Sequence, residues 1–125
     1  MKNVSTGRVL DSNHNGDVYT LEYNHGDYQK WDVRQSGQGW ANIINVATGR
    51  ALDSNGDGNA YTLASNGGDH QKWSFRGVGN ETFVLVNVAT GRVLDSNDGG
   101  EAYTLYENGG NFQKWHFFRP WLSIK

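Results

Sequence analysis

Apolar residues along this chain gather in short bursts separated by glycine, asparagine and aspartate. Val18-Tyr19-Thr20-Leu21 and its counterparts at 60–63 and 102–105 are β-branched and aromatic, and Phe83-Val84-Leu85-Val86 is the longest aliphatic or aromatic run. Such bursts between turn residues predict strands, because branched and aromatic side chains fit a pleated, half-buried surface. Turn signals stand at Thr6-Gly7, Asn15-Gly16, His25-Gly26, Asn66-Gly67-Gly68 and Asn108-Gly109-Gly110. No stretch carries apolar residues at helical spacing with capping residues at its ends. The pattern predicts an all-β chain. Alternation places Tyr19 and Leu21 on one strand face and leaves open whether that face meets core or solvent.

The bursts recur in register. Asn-Val-Ser-Thr-Gly-Arg-Val-Leu-Asp-Ser-Asn at 3–13 returns almost unchanged at 45–55 and 87–97, a period of 42 residues. The same offset relates Gln29-Lys30-Trp31, Gln71-Lys72-Trp73 and Gln113-Lys114-Trp115. A fixed period of this size marks a repeat architecture. The repeats fall at approximately 1–42, 43–84 and 85–125 of one 125-residue domain, each with about four short strands. Propeller blades are of similar length, but a propeller needs four or more of them, and Trp-Asp occurs only at Trp31-Asp32. Three four-stranded repeats about a pseudo-threefold axis make a β-trefoil, the predicted fold. The first copy lacks the strand that 40–46 and 82–88 supply in the others, and the tail Trp121-Leu122-Ser123-Ile124 falls close to the missing place. Terminal segments that complete each other predict a closed ring of three units.

Composition narrows the function. Eleven Lys and Arg against thirteen Asp and Glu give a net charge of −2, so no basic face is available to neutralise phosphates, and neither nucleic acid nor an acidic membrane is an expected partner. The absence of cysteine removes disulfides, a thiol nucleophile and thiolate metal sites. The longest apolar run is far too short to span a bilayer, and residues 1–7 carry no apolar core of a signal peptide.

Val4, Leu10, Leu21 and Trp31, with their counterparts, are the predicted core. The Gln of Gln-x-Trp is expected to tie a turn to the backbone, since a buried amide needs partners. Arg8, Arg50 and Arg92 are expected to bond backbone or an ion. A polar and aromatic set recurs beyond what a core requires: Asp11, Tyr19, Asn24 and Tyr28; Asp53, Tyr61, Asn66 and His70; Asp95, Tyr103, Asn108 and Phe112. Aspartate accepts two vicinal hydroxyls and asparagine both donates and accepts. An aromatic face covers the apolar C–H side of a pyranose ring. The combination suits a neutral, polyhydroxylated ligand. Asp and Asn also bond turns locally, and spacing alone leaves the two readings open.

Three copies of Leu-Asp-Ser-Asn, then Tyr-Thr-Leu, then Asn-x-Gly-x-x-Gln-Lys-Trp resemble the ricin-type β-trefoil lectins with Gln-x-Trp repeats. The resemblance covers nearly the whole chain. It implies that Asp11, Asp53 and Asp95 are pocket aspartates, Tyr19, Tyr61 and Tyr103 pocket tyrosines, and Asn24, Asn66 and Asn108 pocket asparagines. A second pocket tyrosine, just before Gln-x-Trp, is matched only by Tyr28; His70 and Phe112 depart. The implied function is a lectin with up to three pockets for mannose-type glycans of glycoproteins or cell surfaces. It would use no metal or cofactor, act as a monomer, and work outside the cell.

Other chemistries are weaker. Asp11-x-Asn13-x-Asn15-Gly16-x5-Glu22 fits a calcium-loop expression, but its last position is Ala64 and Tyr106 in the other copies, its fifth position is Gly99 in the third, and the flanks do not read as helix. Glycoside hydrolysis needs two carboxylates in distinct environments, and the position of Asp17 is Asn59 and Glu101 elsewhere, so no enzyme is expected. Two further readings stand behind the mannose lectin. One is a galactose- or polysaccharide-binding module of a larger toxin or glycoside hydrolase. The other is a trefoil scaffold or inhibitor that binds protein.

Overall fold

Three copies of the motif build three copies of one four-strand unit. In the computed structural model, which describes residues 1–117 and the backbone of 122–124, the first unit comprises β1 (Lys2–Asn3), β2 (Val9–Ser12), β3 (Val18–Leu21) and β4 (Trp31–Gln35). The second comprises β5 (Ala41–Asn45), β6 (Ala51–Ser54), β7 (Ala60–Leu63) and β8 (Trp73–Gly77). The third comprises β9 (Thr82–Asn87), β10 (Val93–Ser96), β11 (Ala102–Leu105) and β12 (Trp115–His116), and β13 (Leu122–Ile124) follows. The only helical segments among the described residues are single 3₁₀ turns at Asp27–Gln29, Asp69–Gln71 and Asn111–Gln113.

Antiparallel pairs β4–β5, β8–β9 and β12–β1 form the barrel, joined through β5–β8 and β9–β12. Hairpins β2–β3, β6–β7 and β10–β11 branch from it. The hairpins interlock. The Thr62 amide donates to the Gly16 carbonyl, Thr104 to Gly58 and Thr20 to Gly100, each at 2.8 Å. These glycines have φ of +88°, +90° and +85°, and a Cβ on them would lie 2.8, 2.7 and 3.0 Å from the Thr62, Thr104 and Thr20 carbonyl oxygens. Only glycine meets both demands.

The core holds Trp31, Trp73 and Trp115 with Leu10, Leu52, Leu94, Ile43 and Leu85, all fully buried. Each indole donates to a hairpin carbonyl: Trp31 to Leu10 (3.0 Å), Trp73 to Leu52 (3.0 Å) and Trp115 to Leu94 (3.1 Å). The expected core is wrong at two positions per unit. Leu21, Leu63 and Leu105 are 40%, 41% and 43% exposed, Val46 and Val88 are exposed as well, and Val4 is half-buried. The inward residue of each second hairpin strand is a threonine: Thr20, Thr62 and Thr104 are buried, and their hydroxyls meet Ser96, Ser12 and Ser54 of neighbouring units at 3.4, 3.4 and 3.1 Å. That polar inner face leaves Leu21 on the outer one. Two of the arginines bond backbone as expected: Arg8 donates to the Thr20 carbonyl and Arg50 to that of Thr62, both at 2.9 Å, while the Arg92 guanidinium lies over the Tyr106 ring at 4.7 Å.

The tail does lie against β4, but β13 runs parallel to it, with Leu122 opposite Trp31 and Ile124 opposite Val33. The strand it was expected to replace has antiparallel counterparts in β5 against β8 and β9 against β12. That strand would lead into β1, whereas β13 follows β12, so a different connection sets its direction. Trp121 lies outside the described residues. A cavity of about 360 Å³ opens between β4, β5, β8 and β9, lined among the described residues by Val33, Trp40, Ala41, Phe75, Phe83 and Phe117. Val33 stands where other units carry Phe75 and Phe117, and Ala41 where the third carries Phe83, so the cavity marks missing rings. Among the described residues no helix is long and apolar enough to cross a membrane.

Candidate functional site

The register of each hairpin pairs the candidate aspartate directly with the candidate tyrosine: Asp11 with Tyr19, Asp53 with Tyr61 and Asp95 with Tyr103. Directly paired residues project to the same face. Leu21, Leu63 and Leu105 share that face by alternation, and their exposure shows that it points outward.

A buried glutamine ties this face to the following loop. Gln29 Nε2 donates to Asp11 Oδ2 and to the Glu22 carbonyl, both at 2.9 Å, while its Oε1 accepts the Asn24 amide at 2.8 Å. Gln71 does the same for Asp53, Ala64 and Asn66, each at 3.0 Å, and Gln113 for Asp95, Tyr106 and Asn108 at 2.9, 3.0 and 2.9 Å. The expectation that this Gln ties a turn holds, and the structure adds that it also clamps the aspartate. The 3₁₀ turn that carries the Gln is anchored from the next unit. Buried Asn45 donates to the Tyr28 carbonyl, Asn87 to that of His70 and Asn3 to that of Phe112, each at 2.8 Å.

The aspartates are therefore deep. Asp11, Asp53 and Asp95 are 2%, 3% and 3% exposed, and the Ser12 and Ser96 amides bond the second oxygens of Asp11 and Asp95 at 2.7 Å. Each offers a ligand only a small part of its carboxylate, at the floor of the outward face. The asparagines stand at the rim. Asn24, Asn66 and Asn108 are exposed, and their Oδ1 atoms accept the Gly26, Gly68 and Gly110 amides at 2.8 Å. Closing that small turn leaves the amide NH₂ as the outward donor. Tyr28, 37% exposed, meets His14 on the hairpin tip edge-on at 5.4 Å between ring centroids. His70 is exposed and Phe112 half-buried. His25 holds φ of +64° where the other units have Gly67 and Gly109 at +72° and +75°, and its ring lies 4.3 Å from that of Tyr23.

The segment that fits the calcium-loop expression is the turn between β2 and β3. Asn13 Oδ1 accepts the Asn15 and Asp17 amides at 2.9 and 3.1 Å and so closes the turn. Among the described residues no three His, Asp or Glu side chains gather as around a metal ion. Sequence reasoning assigned Leu21 and its counterparts to the core and Asn13 to a calcium-loop expression, and so left them and Asn97 out of this face, although all lie in the repeated motifs.

Burial raises the Asp11 carboxyl above its ordinary 3.8, against the Gln29, Ser12 and Tyr19 hydrogen bonds that favour the anion. Burial, then the neighbouring aspartate, raises the Tyr19, Tyr61 and Tyr103 hydroxyls above 10.0, so they stay protonated donors at neutral pH. A raised carboxyl pKa means that the folded chain holds the Asp11 proton more readily than the unfolded one. Its contribution to stability is full below the unfolded value and lost as pH rises through the folded one. A ligand that bonds the carboxylate would respond with the opposite sign. Carbon NMR of the Asp11 carboxyl is expected to give a midpoint above 3.8; a midpoint at or below the ordinary value refutes this.

The model of the ricin-type beta-trefoil lectin domain matches residues 1–115, and the chain belongs to that family. The fold is the β-trefoil. Among solved structures it is similar to ThreeFoil, a designed 3-fold symmetric protein, at 28% identity and a TM-score of 0.85 over 92% of this chain and 93% of that one. It is also similar to an exo-beta-1,3-galactanase from Clostridium thermocellum, at 28% identity and a TM-score of 0.84 over 92% of this chain. There it spans 28% of the galactanase chain. SeviL bound to asialo-GM1 saccharide shares the fold at 21% identity and a TM-score of 0.79, over 94% of this chain and 92% of that one.

Proposed function

We propose that the chain is a carbohydrate-binding lectin with three pockets, each built on a glutamine-clamped aspartate beneath a tyrosine, a leucine and an outward asparagine amide. The observation that supports this most is the threefold recurrence of the Asp–Gln–Asn network on an outward, partly apolar hairpin face. An aspartate floor accepts hydroxyls, the rim donates, and the tyrosine and leucine cover C–H surface. Mannose-type glycans are the favoured ligand. What supports mannose is the resemblance of the repeated motifs to actinohivin, a bacterial lectin that recognises α1,2-linked mannose at the ends of high-mannose glycans. We read the chain as binding without catalysis, as a monomer, and as acting outside the cell on glycans of glycoproteins or cell surfaces. A second reading, a galactan- or polysaccharide-binding module, draws on the likeness to the galactanase.

A glycan array carrying high-mannose glycans, β-1,3-galactans and other galactosides, run with and without EDTA, tests this. High-mannose binding that survives EDTA is the expected result. Binding confined to galactosides selects the second reading. Binding lost to EDTA and restored by calcium overturns the metal-free pocket. A shallow pocket near 1 mM corresponds to about −4 kcal/mol, and three linked sites on a clustered glycan gain roughly 10² to 10⁴ in avidity, so the array is the sensitive format.

A further inference from the structure

Each pocket tyrosine has two neighbours on its own face that differ between units. Two positions earlier, at the residue that precedes each strand, stand Asp17 before Tyr19, Asn59 before Tyr61 and Glu101 before Tyr103, and residues two apart in an extended segment share a side. The interlocked hairpins add a second neighbour from another unit: backbone bridges pair Tyr19 with Glu101, Tyr61 with Asp17 and Tyr103 with Asn59. Tyr19 is therefore flanked by two carboxylates. Tyr61 and Tyr103 are each flanked by one carboxylate and the Asn59 amide.

All three variable residues are exposed. The carboxylates are steadied by the motif asparagines: Asn13 Nδ2 donates to Asp17 Oδ2 at 3.1 Å and Asn97 Nδ2 to Glu101 Oε2 at 3.2 Å. Neither acid forms an ion pair among the described residues; the guanidiniums of Arg50, Arg92 and Arg8 lie beside Gly16, Gly58 and Gly100 in all three units alike, so the difference between units is set by the carboxylates. Asp17 raises the pKa of the Tyr19 hydroxyl and Glu101 that of Tyr103, so each acid acts on the tyrosine of its own hairpin, and the backbone bridges set each acid beside the next hairpin's tyrosine as well.

We propose that the position two residues before the pocket tyrosine determines specificity by charge. The pocket of Tyr19, between Asp17 and Glu101, rejects acidic sugars such as uronates and sialylated or sulfated residues. The pockets of Tyr61 and Tyr103, which share Asn59, discriminate less. The inference rests on these pockets binding sugar as proposed above. One carboxylate at roughly 7 Å in a water-like medium changes the affinity of an anion by about threefold at low salt, and two by roughly tenfold. Salt screens the effect.

The test titrates isotope-labelled protein with galactose and galacturonate, and with mannose and mannuronate, at matched low ionic strength. The side-chain amides of Asn24, Asn66 and Asn108 report the three pockets separately by NMR. The neutral-over-acidic preference is expected to be about threefold larger at Asn24 than at the other two, and to even out at 0.5 M salt. Asp17→Asn with Glu101→Gln is expected to shrink the preference at Asn24. Asn59→Asp, which adds a charge at an exposed position, is expected to enlarge it at both Asn66 and Asn108. Equal preferences at all three pockets, or preferences unmoved by these variants while neutral sugar still binds, overturn charge sorting and leave the lectin reading intact. No response to any of the four sugars at any pocket overturns both.

Discussion

Replacing Trp73 by alanine is expected to remove about 3–5 kcal/mol of folding free energy, a large part of the roughly 5–15 kcal/mol that a domain has in total. The indole is fully buried between barrel and hairpin, and its N–H is bonded to the Leu52 carbonyl at 3.0 Å. Alanine loses the packing, leaves a cavity and orphans that carbonyl. Phenylalanine at the same position keeps most of the packing and loses the hydrogen bond, so its expected cost is smaller, about 1–3 kcal/mol. Urea unfolding of the two variants beside the parent measures both. A Trp73→Ala loss below about 1 kcal/mol would mean that the three indoles are not the centre of this core.

Gln71→Leu is expected to cost about 3–5 kcal/mol and to silence the second pocket alone. The substitution nearly preserves volume but strands three groups together: the Asp53 carboxylate, the Ala64 carbonyl and the Asn66 amide. A stranded buried group costs about 1–3 kcal/mol, more when charged, and the three losses overlap within one network. The loop that carries Asn66 also loses its tie to the hairpin. Glutamate at this position separates charge from packing. It can still accept the Asn66 amide, but it faces the Asp53 carboxylate where a donor stood, and two carboxylates in contact share a proton. The folded pair then binds more protons than the unfolded chain near pH 5–6, so Gln71→Glu should gain stability relative to the parent as pH falls from 7. Unfolding curves between pH 5 and 8 show the sign. A flat difference between variant and parent would mean that the clamp does not bear on Asp53.

The threefold plan was legible because the 42-residue period runs through turn glycines, tryptophans and glutamines at once, and each residue type has a physical reason to sit where it does. The outward face was not legible. Alternation placed Tyr19 with Leu21, and an apolar leucine argued for the inside. Only the buried hydroxyl contacts between Thr20 and Ser96, 76 positions apart, turn that strand over. The glutamine clamp was half visible, since a buried amide had to bond something, but its reach to Asp11 across 18 positions depends on how hairpin and loop fold together. The parallel direction of β13 had no local signal at all. The same holds for the meeting of Glu101 with Tyr19, which the neighbouring hairpin alone creates.

The ring of interlocked hairpins has a consequence for time as well as for shape. Its links join distant parts of the chain: Ser12 meets Thr62 at 50 positions apart, Thr20 meets Ser96 at 76, and Asn3 reaches Phe112 at 109. Each such contact requires a long loop to close before any energy returns, and chains dominated by distant pairing fold in milliseconds to seconds rather than microseconds. No unit can complete its own hairpin contacts until its neighbour is in place, so the barrier falls late and the molecule assembles as a whole. The same dependence works in reverse. Opening the ring requires several distant contacts to be lost together. Slow assembly and slow loss then share one cause, the closure that sets three hairpins around a single axis.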